Sequence, residues 1–382
     1  MNAASRPIRI LELRSVRGTG GGPEKTILLG AVMSDPRFQV TVCYLRDERD
    51  SIFGIDDRAA RAGVVDYVEI REKHSFDVGI WPQLTQVIRD REIDIVHSHD
   101  YKTNLLALLL GRFAGVKALS TVHGWTGHSP RERWIYYPAD KRVLARFSRV
   151  VAVSGEIERE LIRCGANPAR VTTVLNGIDH RKFFRDPARV ADARAALGAI
   201  DSDIVIGAVG RTEPQKRFDL LLEAFVTIVD RFPRARLFIV GDGSQRQALA
   251  DQVTRLKLRD RCRLVGHLDD VVPAYHAFDL LVQSSDYEGT PNAVLEAMAF
   301  EVPIVATAAG GTAEIVRNGM DGRIVPIGRV DLLTKEVTRA LEDPAGTTAM
   351  ARQARLRVEG ELSFENRVRR IEGIYAEMMQ GA

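Results

Sequence analysis

The sequence predicts an α/β protein that consists of two doubly wound parallel sheets in tandem, and three observations support this prediction. Short apolar runs rich in β-branched residues alternate with helix-length segments along nearly the whole chain. At 382 residues the chain is too long for one small core and fits two domains of ordinary size. Glycine-rich or charged turns follow many of the apolar runs, as expected where ligands bind beyond the carboxyl ends of parallel strands.

Seven strand-like runs occupy the first half of the chain. Continuous apolar strands that are separated by helices are typical of parallel sheets covered on both faces. Helical periodicity is clearest over residues 81–91 and 156–164. The predicted strands are 8–13, 40–45, 64–70, 93–97, 118–122, 150–154 and 171–175.

A second series of strand-like runs begins after an irregular stretch. That stretch, 176–203, contains Asn-Gly and Asp-Pro turn signals and is predicted to connect two domains, over residues 1–180 and 181–362. Two carboxyl edges that face each other would form a cleft with the active site between the domains. The predicted strands of the second series are 204–209, 237–240, 263–265, 280–283, 304–307 and 323–325.

Composition and charge argue against a nucleic-acid-binding function. The chain is 45% hydrophobic and 27% charged, which is typical of a globular protein. Its 54 basic and 51 acidic residues give a net charge of +3, and no nucleic-acid recognition motif is present. We therefore expect no nucleic-acid partner.

The cysteines and the apolar runs predict a cytoplasmic protein that is at most peripheral to a membrane. Cys43, Cys164 and Cys262 lie far apart and form neither a disulfide framework nor a zinc spacing. The N-terminus lacks the apolar core of a signal peptide. The longest apolar run, residues 105–110, is too short to span a bilayer.

The segment 284–299 carries the strongest chemical signal. It combines a strand end, a Gly-Thr-Pro turn and a helix, with Pro291 suited to the first helical turn. Free N–H groups and the helix dipole at such a start favour a bound diphosphate. Glu288 in the turn can face a sugar, while Glu296 in the helix can accept hydrogen bonds from ribose hydroxyls. The alternative is an exposed glutamate on an amphipathic helix, but an unpaired charge within Ala-Val-Leu-Glu-Ala-Met-Ala would be costly.

With its two glutamates eight positions apart, this segment closely resembles the family 4 retaining glycosyltransferases of the GT-B fold. The resemblance covers nearly the whole chain. It implies that Glu288 lies by the donor sugar and that Glu296 binds the ribose. It also implies two Rossmann-like domains that face each other across a cleft, and a last helix within 363–382 that crosses back onto the acceptor-side N-domain. The backbone expected to approach the sugar and phosphates is that of Gly289, Thr290, Pro291 and Asn292.

The implied reaction is the transfer of a hexosyl unit from a nucleoside diphosphate sugar to a hydroxyl acceptor with retention of configuration. UDP is preferred as the nucleotide and GDP comes next. The acceptor stays open between a glycan, a lipid-linked glycan and a small molecule, in polysaccharide, glycolipid or related biosynthesis. Two alternatives are a nucleotide-sugar epimerase of the same fold and a non-catalytic nucleotide-sugar-binding protein.

Two loops resemble the phosphate-binding parts of the family. The loop after the strand 204–209 resembles Gly-Arg-x-x-x-x-Lys, which implies that Arg211 and Lys216 clamp the donor diphosphate without a metal. A basic surface loop is the alternative. The loop after the first strand resembles Gly-Gly-x-Glu, which places Gly20, Gly21 and Gly22 near the diphosphate and the acceptor. A flexible loop and a dinucleotide-binding fingerprint are the alternatives, but the glycine spacing fits the fingerprint poorly.

Histidines follow two strands of the first half. His123 matches a family histidine that reaches the donor sugar or the β-phosphate, and Trp125 and His128 would contribute to an acceptor pocket. His97 and His99 share one face of a strand, and a metal site with His123 is a further interpretation. The family binds no metal there, so His99 and the following Asp100 are interpreted as cleft lining and no metal is expected.

Smaller matches complete the pattern. Gly241 follows a strand of the second series, and Gly266, His267 and Leu268 lie where the backbone contacts the nucleotide base in the family. The late glycine-rich stretch from residue 310 to 322 also matches. The basic and aromatic segment 131–149 suggests peripheral contact with a membrane. We favour the alternative of an ordinary amphipathic helix that packs its aromatic residues inward and is broken by Pro138.

Overall fold

The computed structural model describes residues 6–18, 20–75, 77–125 and 130–381. The chain divides into two compact units. One comprises residues 1–174 together with 367–382, and the other comprises residues 175–366. Among the helices in the described ranges, none has both the length and the apolar character that a membrane span needs.

The first unit is a seven-stranded parallel sheet with helices on its faces. Its strands are β1 (Ile8–Ser15), β2 (Phe38–Asp47), β3 (Tyr67–Glu72), β4 (Ile95–Ser98), β5 (Lys117–Val122), β6 (Arg149–Ala152) and β7 (Val171–Thr173). Their order in the sheet is β3-β2-β1-β4-β5-β6-β7. Its helices are α1 (Gly22–Met33), α2 (Ile55–Ala62), α3 (Ile80–Asp90), α4 (Tyr101–Phe113), α5 (Tyr137–Leu144) and α6 (Gly155–Arg163).

The second unit is a six-stranded parallel sheet of the same type. Its strands are β8 (Ile204–Val209), β9 (Ala235–Val240), β10 (Cys262–Gly266), β11 (Leu280–Gln283), β12 (Ile304–Thr307) and β13 (Arg323–Val325), in the order β10-β9-β8-β11-β12-β13. Its helices are α7 (Val190–Leu197), α8 (Phe218–Arg231), α9 (Arg246–Arg255), α10 (Val272–Ala277), α11 (Asn292–Ala299), α12 (Thr312–Ile315), α13 (Val330–Glu342) and α14 (Pro344–Glu359), and the last helix of the chain is α15 (Phe364–Gln380).

Side-chain caps stabilise the starts of two helices in the first unit. The Asp100 carboxylate accepts hydrogen bonds from the backbone N–H groups of Lys102 and Thr103, which caps α4. The Ser154 hydroxyl accepts from Ile157 N and caps α6 in the same way. These caps fix the direction in which the chain leaves the carboxyl ends of β4 and β6.

The strand order reverses beside the first strand of each sheet, between β1 and β4 and between β8 and β11. At such a point the connections on the two sides leave in opposite directions and open a crevice at the carboxyl ends of the strands. The loops that leave β1, β4, β8 and β11 are therefore the ones that this fold offers to a ligand.

The structure confirms the predicted α/β architecture with two doubly wound sheets. All thirteen predicted strands are present, and β8, β11, β12 and β13 agree with the prediction in both bounds. β3 begins later than predicted because Val64 N donates to Ala59 O in the cap of α2, where Gly63 adopts a left-handed conformation. The predicted connection 176–203 is counted with the second unit, whose core includes Leu197 of α7.

Candidate active site

The turn after β11 places Glu288 at the centre of a group of hydrogen bonds in the second unit. Its Oε1 atom accepts from Lys216 Nζ at 2.6 Å, from Ser285 Oγ at 2.6 Å and from Gln283 Nε2 at 3.2 Å. The Glu288 side chain is buried, and Lys216 is mostly so. The structure therefore brings together the lysine of one predicted motif and the first glutamate of the other.

The loop between β8 and α8 holds a second cation, Arg211. This residue is exposed, and within the described part of the chain its guanidinium has no hydrogen-bond or ion-pair partner. The neighbouring Arg217 differs, because its guanidinium pairs with Asp219 and with Asp286 Oδ2 at 2.8 Å. Arg211 is thus available to an anionic ligand, whereas Arg217 ties its loop to the turn after β11.

The glycine-rich stretch after β12 packs against the backbone of the Glu288 turn. Gly310 has φ of +51°, and a Cβ atom there would lie 1.7 Å from the carbonyl oxygen of Glu288. The next residue, Gly311, donates its N–H to Gly289 O at 2.8 Å. Only glycine allows this approach, so the late glycine-rich stretch supports the position of Glu288.

α11 begins one residue later than the sequence suggested. Pro291 has ψ of +111° and stands at the N-cap, outside the first helical turn, because the chain is still extended there. Asn292 is the first helical residue. Val294 N donates to Pro291 O at 3.1 Å, which leaves the N–H groups of Asn292 and Ala293 without an acceptor in the helix. Thr290, just before Pro291, accepts a hydrogen bond from Asn176 N through its hydroxyl at 3.3 Å. The N-terminal end of α11 thus follows directly on the turn that carries Glu288.

Glu296 lies in the interior of α11 and has a polar partner. Its Oε2 atom accepts from the Tyr275 hydroxyl at 2.8 Å, and both side chains are buried. The Tyr275 ring stacks on Phe300 with centroids 5.5 Å apart. Burial, with the carboxylate of Glu296 adding to its effect, raises the pKa of Tyr275 well above its ordinary value. The hydroxyl therefore keeps its proton and orients the carboxylate.

Gly241 and the three residues predicted to contact the base have different surroundings. Gly241 N donates to Gly266 O at 2.8 Å, which links the ends of β9 and β10. Leu268 packs against the core of the second unit. His267 is exposed, and its Nε2 lies 3.5 Å from a carboxylate oxygen of Asp269.

In the first unit, the glycine-rich loop after β1 leads into α1. The Glu24 carboxylate accepts the N–H of Gly21 and pairs with Arg14, whose guanidinium also donates to His99 O at 2.8 Å. Burial alone would raise the pKa of Glu24, but Arg14 and the Gly21 N–H outweigh burial and lower it. The loop with Gly20, Gly21 and Gly22 at the start of α1 is therefore held by the buried ion pair between Arg14 and Glu24.

A buried network of polar side chains lies at the reversal point between β1 and β4. His99 Nε2 bonds Glu12 Oε2, and His99 Nδ1 lies 3.1 Å from His123 Nε2. On the other side of the carboxylate, His97 Nδ1 lies 3.2 Å from Glu12 Oε1, which also accepts from the Tyr375 hydroxyl of α15 at 2.9 Å. The Glu12 carboxylate therefore contacts two histidines and a tyrosine, and His99 extends the network to His123.

This network bears on the metal interpretation. Glu12, His97 and His99 offer ligand atoms within 4.8 Å of one another, so in the described ranges they form a group that could hold a cation. Each of those atoms already has a hydrogen-bond partner inside the network. His123, which the sequence suggested as a third ligand, bonds His99 instead of joining the group.

The structure describes one of the two residues predicted for an acceptor pocket, and it also describes the basic and aromatic segment 131–149. The Trp125 indole N–H donates to Asp140 Oδ2 at 2.9 Å, while His128 lies outside the described residues.

Within 131–149 the prediction of a helix broken by Pro138 is wrong. A π-helix over Glu132–Tyr136 precedes α5, and the wider i→i+5 spacing accommodates a proline that has no N–H. The inward packing is wrong for Trp134 and Ile135, which are 75% and 59% exposed.

Sequence reasoning missed several partners in both units. A charged residue between Leu11 and Leu13 of an apolar strand was a signal that could have indicated Glu12. No comparable signal marks Tyr375, which reaches Glu12 across 363 residues, or Tyr275, which reaches Glu296 from a different helix.

Two family models match this chain. The model described as Glycosyltransferase Family 4 matches residues 20–182, and the model described as Glycosyl transferases group 1 matches residues 190–357. The UDP-Gal:alpha-D-GlcNAc-diphosphoundecaprenol alpha-1,3-galactosyltransferase of Escherichia coli is 27% identical over 308 residues, which cover 78% of each chain. A glycogen synthase of Mycobacterium tuberculosis is 29% identical over 286 residues, or 71% of this chain and 66% of the synthase.

The fold is also found among solved structures. HepE of Anabaena, crystallised in complex with UDP-glucose, superposes with a TM-score of 0.82 at 21% identity, covering 98% of this chain and all of that one. Sucrose-phosphate synthase of Thermosynechococcus elongatus gives a TM-score of 0.81 at the same identity. Both likenesses establish the GT-B type of two-domain α/β fold.

Proposed function

Because this chain belongs to the family 4 glycosyltransferases, we propose that it transfers a hexosyl unit from a nucleoside diphosphate sugar to a hydroxyl acceptor with retention of configuration. The relatives are glycosyltransferases that act on nucleotide sugars in glycan biosynthesis. UDP is the proposed nucleotide, with GDP next, because the Escherichia coli relative is named for UDP-Gal and HepE was crystallised with UDP-glucose.

The observation that carries this proposal is the arrangement of charges around Glu288. An exposed Arg211 and the Lys216–Glu288 ion pair lie on the loops that leave β8 and β11, where the strand order reverses. A sugar nucleotide needs cations for its diphosphate and a carboxylate near its sugar, and these loops offer both. The N-terminal end of α11 adds N–H groups that favour the same anion.

Each residue has a proposed part in the reaction. As the glycosidic bond breaks, the diphosphate gains negative charge, which Arg211 and Lys216 stabilise. The sugar gains positive charge, which Glu288 stabilises, while Glu296 holds the ribose. The acceptor hydroxyl attacks on the face that the leaving group vacates and gives its proton to the leaving phosphate. His123 is proposed to contact the donor sugar.

Metal independence is part of the proposal, because Arg211 and Lys216 are positioned to handle the phosphate charge. Full turnover after exhaustive EDTA treatment is the expected result. Activity that vanishes and returns only with added Mn²⁺ would contradict it and would favour a cation at Glu12, His97 and His99.

The acceptor is proposed to be a glycan, a lipid-linked glycan or a small molecule with a free hydroxyl.

The first unit is also proposed to touch a membrane surface. The exposed Trp134 and Ile135, flanked by exposed Arg131 and Arg133, support this membrane contact. Wild-type protein should sediment with vesicles that contain anionic phospholipid. Trp134→Ser should weaken that sedimentation, whereas Phe184→Ser, at an exposed aromatic residue of the second unit, should not.

A panel of nucleotide sugars tests the proposed function and its two alternatives. A glycosyltransferase should slowly hydrolyse one donor to nucleoside diphosphate when no acceptor is present. An epimerase would interconvert two sugars without needing an acceptor. A binding protein would bind the nucleotide sugar and leave it intact.

A further inference from the structure

The polar network of the first unit ends at His123, and its hydrogen bonds determine which nitrogen of that ring carries a proton. A carboxylate can only accept, so His99 Nε2, which bonds Glu12 Oε2, must carry a hydrogen. Burial alone would raise the pKa of Glu12, but the interactions with His97 and His99 outweigh burial and hold it well below its ordinary value. Glu12 therefore stays ionised.

His99 transmits this constraint to His123. Burial, followed by the neighbouring His97, lowers the pKa of His99 to about 4, so the ring is neutral near pH 7. A neutral imidazole with a hydrogen on Nε2 has a bare Nδ1. That Nδ1 lies 3.1 Å from His123 Nε2, so it accepts a hydrogen bond that His123 donates.

His123 is neutral for the same reasons. Burial, then His99, then the charges of Arg14 and Arg367 lower its pKa well below its ordinary value. Since its Nε2 carries the hydrogen, its Nδ1 is a bare acceptor. Such a nitrogen can accept from a hydroxyl but cannot donate to a phosphate oxygen.

We propose that Glu12, acting through His99, is a positioning residue that fixes His123 as the Nε2–H tautomer, so that its Nδ1 accepts a hydrogen bond from a hydroxyl of the donor sugar. This inference rests on the proposed function, and it selects the sugar over the β-phosphate as the group that His123 contacts. Glu12 itself touches no substrate.

The far side of Glu12 shows why only a carboxylate serves here. Its Oε1 accepts from the Tyr375 hydroxyl at 2.9 Å, and the same hydroxyl lies 2.6 Å from His97 Nδ1. His97 Nε2 in turn lies 2.7 Å from the Thr121 hydroxyl. Both oxygens of Glu12 therefore face donors. A glutamine at this position would present its NH₂ group to one of those donors, either on the Tyr375 side or on the His99 side.

Nitrogen NMR of protein labelled with ¹⁵N-histidine tests the proposal directly. In the wild type, Nδ1 of His123 should give the resonance of an unprotonated nitrogen, assigned by its loss in His123→Gln. In Glu12→Gln, His99 and His123 should lose their fixed tautomers, and Nδ1 of His123 should become protonated in part of the molecules. Glu12→Asp, which keeps the carboxylate, should restore the wild-type pattern in part. Tyr375→Phe is the matched control, because it removes a donor to Oε1 and leaves the His99 side intact.

The rate of donor hydrolysis tests the effect of Glu12 on function. Glu12→Gln should lower the rate of donor hydrolysis by about 3- to 10-fold, the effect of one neutral hydrogen bond, with UDP affinity unchanged. Tyr375→Phe should stay near the wild-type rate.

Three outcomes would overturn the inference. The first is a protonated Nδ1 on His123 in the wild type, and the second is a His123 tautomer that stays unchanged in Glu12→Leu, which offers His99 no acceptor in any orientation. The third is one equivalent of zinc whose removal shifts the His99 resonances, because Glu12 would then be a metal ligand. The NMR measurement needs no donor, so an absence of turnover with every nucleotide sugar would refute the proposed function alone.

Discussion

Lys216 Nζ lies 2.6 Å from Glu288 Oε1, and this ion pair joins two segments that are 72 residues apart in the sequence. The lysine comes from the loop after β8 and the glutamate from the turn after β11. Their side chains are only 15% and 9% exposed, so water screens the pair weakly. Neither side chain can be removed without leaving the other charge poorly compensated.

The pair predicts strong coupling between substitutions at the two positions. Lys216→Met and Glu288→Gln should each lower kcat by about 100-fold or more, as expected when one group that stabilises transition-state charge is lost. The double variant should be little slower than the slower single variant, because the two residues act as one unit. Steady-state kinetics of donor hydrolysis would measure this.

A neighbouring ion pair provides the control. Asp286→Asn removes the ion pair with Arg217. Both side chains of that pair are more exposed than Lys216 and Glu288, so the variant should change kcat by no more than about threefold. Losses from Lys216→Met and Glu288→Gln that multiply in the double variant would contradict the coupling.

The second glutamate should act on nucleotide binding. Glu296→Ala should weaken UDP binding by about 10- to 150-fold, because hydrogen bonds to a charged acceptor are lost in the ground state and the transition state alike. Tyr275→Phe keeps the stack on Phe300 and removes the hydroxyl that orients Glu296, so it should cost about 2- to 10-fold. Titration calorimetry with UDP checks both variants. Glu288→Ala, in contrast, should lower kcat more than it weakens UDP binding, and the reverse result would refute its assignment.

Gly310 should be essential for the geometry of the Glu288 turn. Gly310→Ala should lower kcat sharply and destabilise the fold, because its Cβ would collide with the Glu288 carbonyl. Gly319→Ala is a matched control. It also has a positive φ, of +76°, but a Cβ there meets nothing within 4 Å, so it should cost only about 1–2 kcal/mol of stability. Equal kcat values for the two variants would show that the collision is relieved without moving Glu288.

The histidine network makes stability depend on pH in a defined window. Because the folded pKa of His99 is about 4, against an ordinary value of 6.5, the unfolded chain binds more protons between these values. The free energy of unfolding should therefore fall as the pH drops from 7 to 5, and His99 should account for about 1–2 kcal/mol of that fall. Urea unfolding at both pH values should show a smaller fall for His99→Gln. The control variant His267→Gln, at an exposed histidine, should retain the wild-type difference.

The fold was largely predictable because its signal is local. Apolar β-branched runs and the turns after them fix parallel strands in position along the chain, and the bounds of β8 and β11 follow from the sequence alone. The loops around Arg211 and Glu288 could be assigned to one site because both follow strands. The contact between Lys216 and Glu288 needed the strand order, which places β8 beside β11.

The network around Glu12 could not be predicted in the same way. Tyr375 reaches Glu12 across 363 residues, and no periodicity links β1 to α15. The same limit applies to Glu296, whose partner Tyr275 lies on a different helix. Pro138 misled the prediction for a different reason, because a π-helical turn removes the hydrogen bond that a proline would break in an α-helix.

The anomeric form of the sugar released from the donor tests the proposed retaining mechanism most directly. The protein should be incubated with the α-linked nucleotide sugar that it hydrolyses fastest, and proton NMR should follow the anomeric signals before the free sugar equilibrates. Water then serves as the acceptor, so no acceptor needs to be known. We predict that the α-anomer appears first and that Glu288→Ala abolishes its formation. First appearance of the β-anomer would contradict the account.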